Sequence, residues 1–287
     1  MNKLRGAVIG CGTIAEFHLR GWACIPEVEV VALADPDRGR AEQRRARFMP
    51  AARVYESMER LLATETLDFV DILTPPWLHR EHCLCAKAAG LHVVCQKPLC
   101  DDLQEARELV AAFAGSRTLL SVHENHIYRP WFQRVVQLHR QKFFGIPRLL
   151  RLEQNDQTQP PQKFCRAAER GILLEYGVHL ADMVRAVLGT PERVSARLHH
   201  LHPNVHGESL AHVTFEYPHT TAVIDIAWKN GGFAQGSALL LGDRGEAFYE
   251  GSMTRGATAH FRVADSKRTL VDEARETVDD YAESFYL

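Results

Sequence analysis

The chain has 287 residues, enough for two domains and for a core that needs no disulfides. Its 46% hydrophobic and 24% charged residues suit a folded globular protein and exclude a disordered or collagen-like chain. The formal net charge of -2 favours neither nucleic acid nor an anionic membrane, and no apolar run nears the roughly 18 residues of a membrane span.

The start, Met1-Asn2-Lys3-Leu4-Arg5, is basic, but the apolar run behind it stops at Gly10, too soon for a secretory signal. Seven cysteines, Cys11, Cys24, Cys83, Cys85, Cys95, Cys100 and Cys165, contain no C-x-x-C pair. They read as buried reduced thiols of a cytoplasmic protein.

Strand and helix patterns alternate over residues 1–122. Lys3–Ile9 is a buried strand, Gly12–Ile25 a helix and Val28–Asp35 a second strand. An Arg-rich helix follows over Asp37–Phe48, then a strand at Leu67–Leu73, a helix at Pro76–Ala89 and a strand at Leu91–Cys95. Leu103–Ala114 is a helix and Thr118–Val122 a strand. This order predicts a parallel sheet covered on both faces. Residues 123–287 read differently. Pro130–Gln141 and Gly177–Leu188 are helical, and segments 191–202, 207–217, 220–229, 236–242 and 258–264 alternate as antiparallel strands. This half is predicted to be α+β, with one sheet face free to pack on a partner.

Chemistry begins at the first turn. Gly10-Cys11-Gly12-Thr13-Ile14-Ala15 is G-x-G-x-x-A between a strand and a helix. Gly10 permits the tight turn, Gly12 admits a pyrophosphate to the backbone and Ala15 keeps helix and sheet close. The N–H groups at the helix start, Thr13 and Ile14 among them, face the phosphates. Asp35 closes the second strand where a carboxylate accepts the adenosine ribose hydroxyls and repels a 2′-phosphate, which favours NAD over NADP. Asp35 also fits a plain turn residue before Pro36, and the nearby Arg38 fits a phosphate partner. The fold class is therefore α/β: an N-terminal Rossmann dinucleotide-binding domain, then an α+β domain with a mostly antiparallel open sheet. Gln96-Lys97-Pro98 follows the strand Leu91–Cys95, at the end of the sheet where ligands sit. Lys97 there would hold a substrate hydroxyl or relay its proton.

Several motifs in order resemble the Gfo/Idh/MocA family of glucose–fructose oxidoreductase and inositol dehydrogenase relatives. They are the glycine turn with His18; Ala34-Asp35-Pro36-Asp37; Thr74-Pro75-Pro76 with His79; Ala89-Gly90-Leu91-His92-Val93-Val94-Cys95-Gln96-Lys97-Pro98-Leu99; His123-Glu124-Asn125; and Gly177-Val178-His179-Leu180-Ala181-Asp182. The resemblance covers residues 3–250. It implies an NAD-dependent dehydrogenase acting on a sugar, sugar derivative or cyclitol, and a homodimer or homotetramer built on the second sheet. It also implies that Thr74, Pro75 and His79 wall the cofactor site.

Two residues depart from the family pattern. Gln96 stands where relatives have Glu, and Glu175 stands where many have Asp four residues before the histidine. If the turn is helical, Glu175 and His179 share a face. His179 is then the group beside the reacting hydroxyl, Lys97 assists, and Glu175 orients or polarises them. Asn125 would hydrogen-bond nicotinamide or substrate, or serve a turn. The alternative is a dinucleotide- or sugar-binding regulator without turnover.

His199, His200, His202 and His206 cluster near Glu208, but they lack a structural zinc spacing and fit the solvated side of a strand better. No metal site is expected. Residues 279–287 open an amphipathic helix where relatives continue, which suggests a shortened C-terminus.

Overall fold

The computed structural model describes residues 3–156, 171–201, 206–228, 235–251 and 258–277. Cys165, His202 and residues 279–287 lie outside the described residues. The chain divides into two compact units, Met1–Glu124 and Asn125–Phe285.

The first unit is a six-stranded parallel sheet in the order β3-β2-β1-β4-β5-β6. Its strands are β1 (Leu4–Ile9), β2 (Val28–Ala34), β3 (Arg53–Tyr55), β4 (Phe69–Ile72), β5 (His92–Gln96) and β6 (Leu120–His123). Between them run α1 (Ala15–Ala23), α2 (Arg38–Phe48), α3 (Met58–Leu62), α4 (Pro76–Ala88) and α5 (Leu103–Phe113). The central strands are apolar on both faces because helices cover both, and Ala7, Val8, Val70 and Ile72 are fully buried. Side chains set the helix starts. Asp37 accepts the Arg40 N–H at 3.0 Å, and Asp102 accepts those of Gln104 and Glu105 at 2.7 and 3.1 Å. Pro76 stands in the first turn of α4. The strand order reverses between β1 and β4, the switch point past whose carboxyl ends sheets of this kind hold their ligands.

The second unit opens with a 3₁₀ turn, Asn125–Tyr128, and α6 (Pro130–Arg140). It contains α7 (Val178–Leu188) and strands β7 (Pro147–Asp156), β8 (Arg193–His199), β9 (Leu210–Glu216) and β10 (Thr221–Trp228). The remaining strands are β11 (Gln235–Gly242), β12 (Gly245–Gly251), β13 (Thr258–Asp265) and β14 (Leu270–Thr277). The sheet order is β14-β13-β12-β11-β7-β10-β9-β8. It is antiparallel except that β7 and β10 run parallel, in line with the mostly antiparallel sheet expected. The core joins Phe132 of α6 and Met183 and Val184 of α7 to Leu150, Leu152, Ile224 and Ile226 of the sheet. The opposite face carries polar side chains in pairs, Arg151–Asp225 at 3.1 Å and His212–Asp225 and His260–Glu273 at 2.5 Å. Among the described residues, no helix is long and apolar enough to cross a membrane.

Candidate functional site

The glycine turn of the first unit forms as its residue types require. Gly10 has φ of +97°, and a Cβ there would lie 2.8 Å from the Leu73 backbone. Above Gly12 a Cβ would meet nothing within 4 Å, so the space a pyrophosphate needs is open. Helix α1 begins without a side-chain cap, and the Glu16 and Phe17 N–H groups already donate to the Thr13 and Ile14 carbonyls at 3.3 and 3.1 Å, so the N–H groups of Thr13, Ile14 and Ala15 ahead of them are the ones placed for an anion. Thr13 is exposed, Ile14 half-buried and Ala15 buried. These residues fit a dinucleotide.

Asp35 is 5% exposed and braces this turn. Its Oδ2 accepts the Cys11 N–H and its Oδ1 the Asp37 N–H, both at 2.8 Å. Each oxygen keeps a second lone pair for a ribose hydroxyl. Arg40, not Arg38, is the cation beside it, with Nη1 at 3.8 Å. Arg38 points to Glu42 at 3.9 Å on the exposed side of α2. Arg44 donates to the Gly12 carbonyl at 3.3 Å and to Glu16 at 3.2 Å, a brace that sequence reasoning missed. Burial, with the Asp35 charge second, pushes the Cys11 thiol up to about 12.

Beside that switch point, Thr74 and Pro75 follow β4. Thr74 Oγ1 lies 3.0 Å from His82 Nδ1. His79 is fully buried, with its two ring nitrogens 2.9 Å from the Pro98 carbonyl and 2.7 Å from that of Thr74. It therefore ties the Thr74 loop to the Lys97-Pro98 loop instead of forming a wall. Burial lowers its pKa, and the facing carbonyls offset this only in part. Lys97 is half-buried directly after β5, and its N–H donates to Gln96 Oε1 at 2.7 Å. Gln96 in turn meets His18, which bonds Asp71. The sequence signal for this network was a charge inside an apolar strand, Val70-Asp71-Ile72.

The second unit carries the other residues. Glu208 is buried and accepts the N–H groups of Gly171 and Leu173 at 3.1 and 2.9 Å. Its carboxylate thus holds the backbone of this segment, and His200 Nδ1 lies 3.0 Å from the Gly207 carbonyl. Among the described residues no three His, Cys, Asp or Glu side chains gather as metal ligands. The segment held by Glu208, Leu173–Gly177, is a π-helical turn carrying Glu175 and Tyr176. Glu175 lies in this π turn and His179 in the first turn of α7, so both stand on helical backbone, as the sequence reading required. His179 is buried at the start of α7, and its ring stacks on His126 with centroids 4.0 Å apart. Tyr176 meets His179 edge-on at 6.5 Å. Asn125 is buried, with Oδ1 3.4 Å from His126 Nδ1, and Asp182 is half-buried. The sequence reading missed His126, although it follows the quoted His123-Glu124-Asn125 directly. His126, Arg129, Trp131, Gln154, Met183 and Tyr249 line a small pocket. The buried donors Trp131 Nε1 and Gln154 Nε2 have no protein acceptor among the described residues.

Residues 4–124 match the model of an oxidoreductase family with an NAD-binding Rossmann fold, and residues 132–248 match the GFO/IDH/MocA C-terminal domain. The chain is 32% identical over 233 residues to D-apiose dehydrogenase of Paraburkholderia graminis. That match covers 80% of this chain and 62% of the relative. It is 24% identical to myo-inositol 2-dehydrogenase of Thermotoga maritima, over 65% of this chain and 55% of that one. An oxidoreductase from Agrobacterium radiobacter, solved with NAD+, L-tartaric acid and magnesium, superimposes with a TM-score of 0.85 at 23% identity. That superposition covers 99% of this chain and 86% of the other.

Proposed function

The chain belongs to the GFO/IDH/MocA oxidoreductase family, and on that premise we propose that it is an NAD-dependent dehydrogenase. It transfers hydride between the nicotinamide and a hydroxyl-bearing carbon of a sugar, sugar derivative or cyclitol. The observation that carries this reading is within the first unit. The open glycine turn after β1 and Lys97 after β5 stand at the same, carboxyl end of one parallel sheet.

Gly10, Gly12, Thr13, Ile14 and Ala15 would take the pyrophosphate. Asp35 would take the ribose hydroxyls, and its charge favours NAD over NADP. Thr74, Pro75, Gln96 and Asn125 complete the residues assigned to the cofactor, with His79 as a brace. Bound NAD+ supplies the hydride acceptor. Lys97 holds the substrate hydroxyl. His179 takes its proton as hydride leaves the carbon, and Glu175 orients the acid–base groups. The unpartnered donors Trp131 Nε1 and Gln154 Nε2 suit a substrate rich in hydroxyl oxygens. D-Apiose and the inositols head the substrate panel, because relatives at 32% and 24% identity carry those names. We also assign the cytoplasm as location and the charged open face of the second sheet as a homodimer or homotetramer surface. Sedimentation showing only monomer would reject that assembly.

The test is NADH formation from NAD+ with D-apiose, inositols, aldoses and sugar acids. Turnover of one member supports the proposal. Tight NADH binding with no turnover over the whole panel would favour a regulator that keeps the fold.

A further inference from the structure

Gln96 departs from the family's usual Glu, and the structure shows what surrounds it. The Lys97 backbone N–H can only donate, and it meets Gln96 Oε1 at 2.7 Å. That contact fixes the amide, so the Gln96 NH₂ faces His18 Nε2 at 2.9 Å. An NH₂ group has only donors. His18 Nε2 must therefore accept, and it carries no proton. The ring proton is left on Nδ1, which points at Asp71 Oδ2 at 2.8 Å. Trp22 Nε1 donates to the same oxygen at 2.7 Å.

Little solvent reaches this chain of bonds. Asp71 is fully buried, His18 is 3% exposed and Gln96 8%. The His123 ring at the end of β6 lies 4.3 Å from that of His18. Asp71 Oδ1 has no partner among the described residues. A buried carboxylate oxygen left so is costly, which marks the network as more than packing.

We propose that Asp71, His18 and Gln96 form a hydrogen-bond relay that holds His18 as the Nδ1-protonated tautomer and pins the Lys97 backbone, making Gln96 the positioning residue for that lysine. A glutamate at 96 would place an acceptor opposite His18 Nε2 and require a second proton on the ring. Glutamine instead matches an imidazole with a single proton while keeping the same hold on Lys97. The departure at 96 is thus an alternative setting of the anchor and not a loss of it. That Lys97 touches substrate rests on the dehydrogenase reading, whereas the relay itself does not.

The experiment uses the full chain, ¹⁵N-labelled, without cofactor or substrate. Long-range ¹H–¹⁵N correlation is expected to show His18 with a protonated Nδ1 and a bare Nε2, and Q96E to show both nitrogens protonated. A bare Nδ1 in the native chain, or an unchanged ring in Q96E, would overturn the relay. Gln96→Met removes the amide at similar length. It is expected to speed hydrogen exchange of the Lys97 N–H about tenfold, the worth of one hydrogen bond, while the β1 and β4 amides stay protected. Unchanged exchange at Lys97 would overturn the positioning role. On a substrate from the panel, Gln96→Met is expected to lower kcat up to about 10²-fold, as misplacement of a reacting group does. If no panel member turns over, the dehydrogenase reading falls, and the spectra and exchange rates still decide the relay.

Discussion

Asp35 Oδ2 accepts the Cys11 N–H at 2.8 Å, so the carboxylate that ends β2 also holds the turn that ends β1. Asp35→Asn keeps one acceptor and sets an NH₂ group against one of two backbone donors. Two effects are expected together. The unfolding free energy falls by about 1–3 kcal/mol, the cost of a buried unsatisfied donor, read as a lower urea midpoint. NADH affinity also falls, and the preference over NADPH narrows because the charge is gone. Unchanged stability with weakened NADH binding would mean that Asp35 serves the ribose alone.

In the second unit Glu208 holds the π turn from 35 residues away, through Leu173 at 2.9 Å. Glu208→Ala leaves two backbone donors without acceptors and is expected to cost about 2 kcal/mol. Glu208→Gln retains one acceptor and is expected to cost less. Hydrogen exchange over Leu173–Gly177 reports this directly, with faster exchange in Glu208→Ala than in Glu208→Gln. Equal exchange in both variants and the native chain would remove Glu208 from this role.

The sequence showed the first unit's order well. Long apolar runs and well-marked helix starts such as Asp37 and Asp102 announce themselves. Arg53–Tyr55 and Met58–Leu62 did not, because three or five residues carry no readable period. Leu270–Thr277 was missed as well, since Asp272, Glu273 and Arg275 hide its alternation. The glycine turn and Lys97 were legible because local spacing defines them. The links from Asp71 to His18, and from Glu208 to Leu173, were not, because they join residues 53 and 35 apart that no local pattern relates. The π turn at Glu175 was hidden for the same reason, as the carboxylate that caps it comes from a distant segment.

Acid should destabilise the chain through its buried histidines. Burial lowers the pKa of His79 below the ordinary 6.5, and His82 shifts the same way. The unfolded chain therefore binds the proton first as pH falls. This contribution to stability is complete above 6.5 and is lost as pH drops through the lower folded value. Urea midpoints should fall between pH 7.5 and 5.5, and His79→Gln should flatten that slope. A slope identical in His79→Gln would contradict the assignment.

The cysteines should separate sharply by reactivity. Cys24 is exposed, which corrects the expectation that the thiols are uniformly buried, whereas Cys11, Cys83, Cys95 and Cys100 are buried. Burial pushes the Cys11 thiol up to about 12 and Cys100 to about 11. Mass spectrometry after brief iodoacetamide treatment of native protein at pH 8 should find Cys24 labelled, with Cys11 and Cys100 unlabelled. Early labelling of Cys11 would show that the turn opens readily.

Lys97 carries the central claim. The most direct measurement compares native chain and Lys97→Ala for NADH formation on whichever panel substrate turns over, with NADH binding followed by fluorescence in both. The account predicts that Lys97→Ala binds NADH within about threefold of the native chain and loses at least about 10²-fold in kcat, the scale of general acid–base assistance. Native-level turnover in Lys97→Ala would contradict it and remove Lys97 from the chemistry.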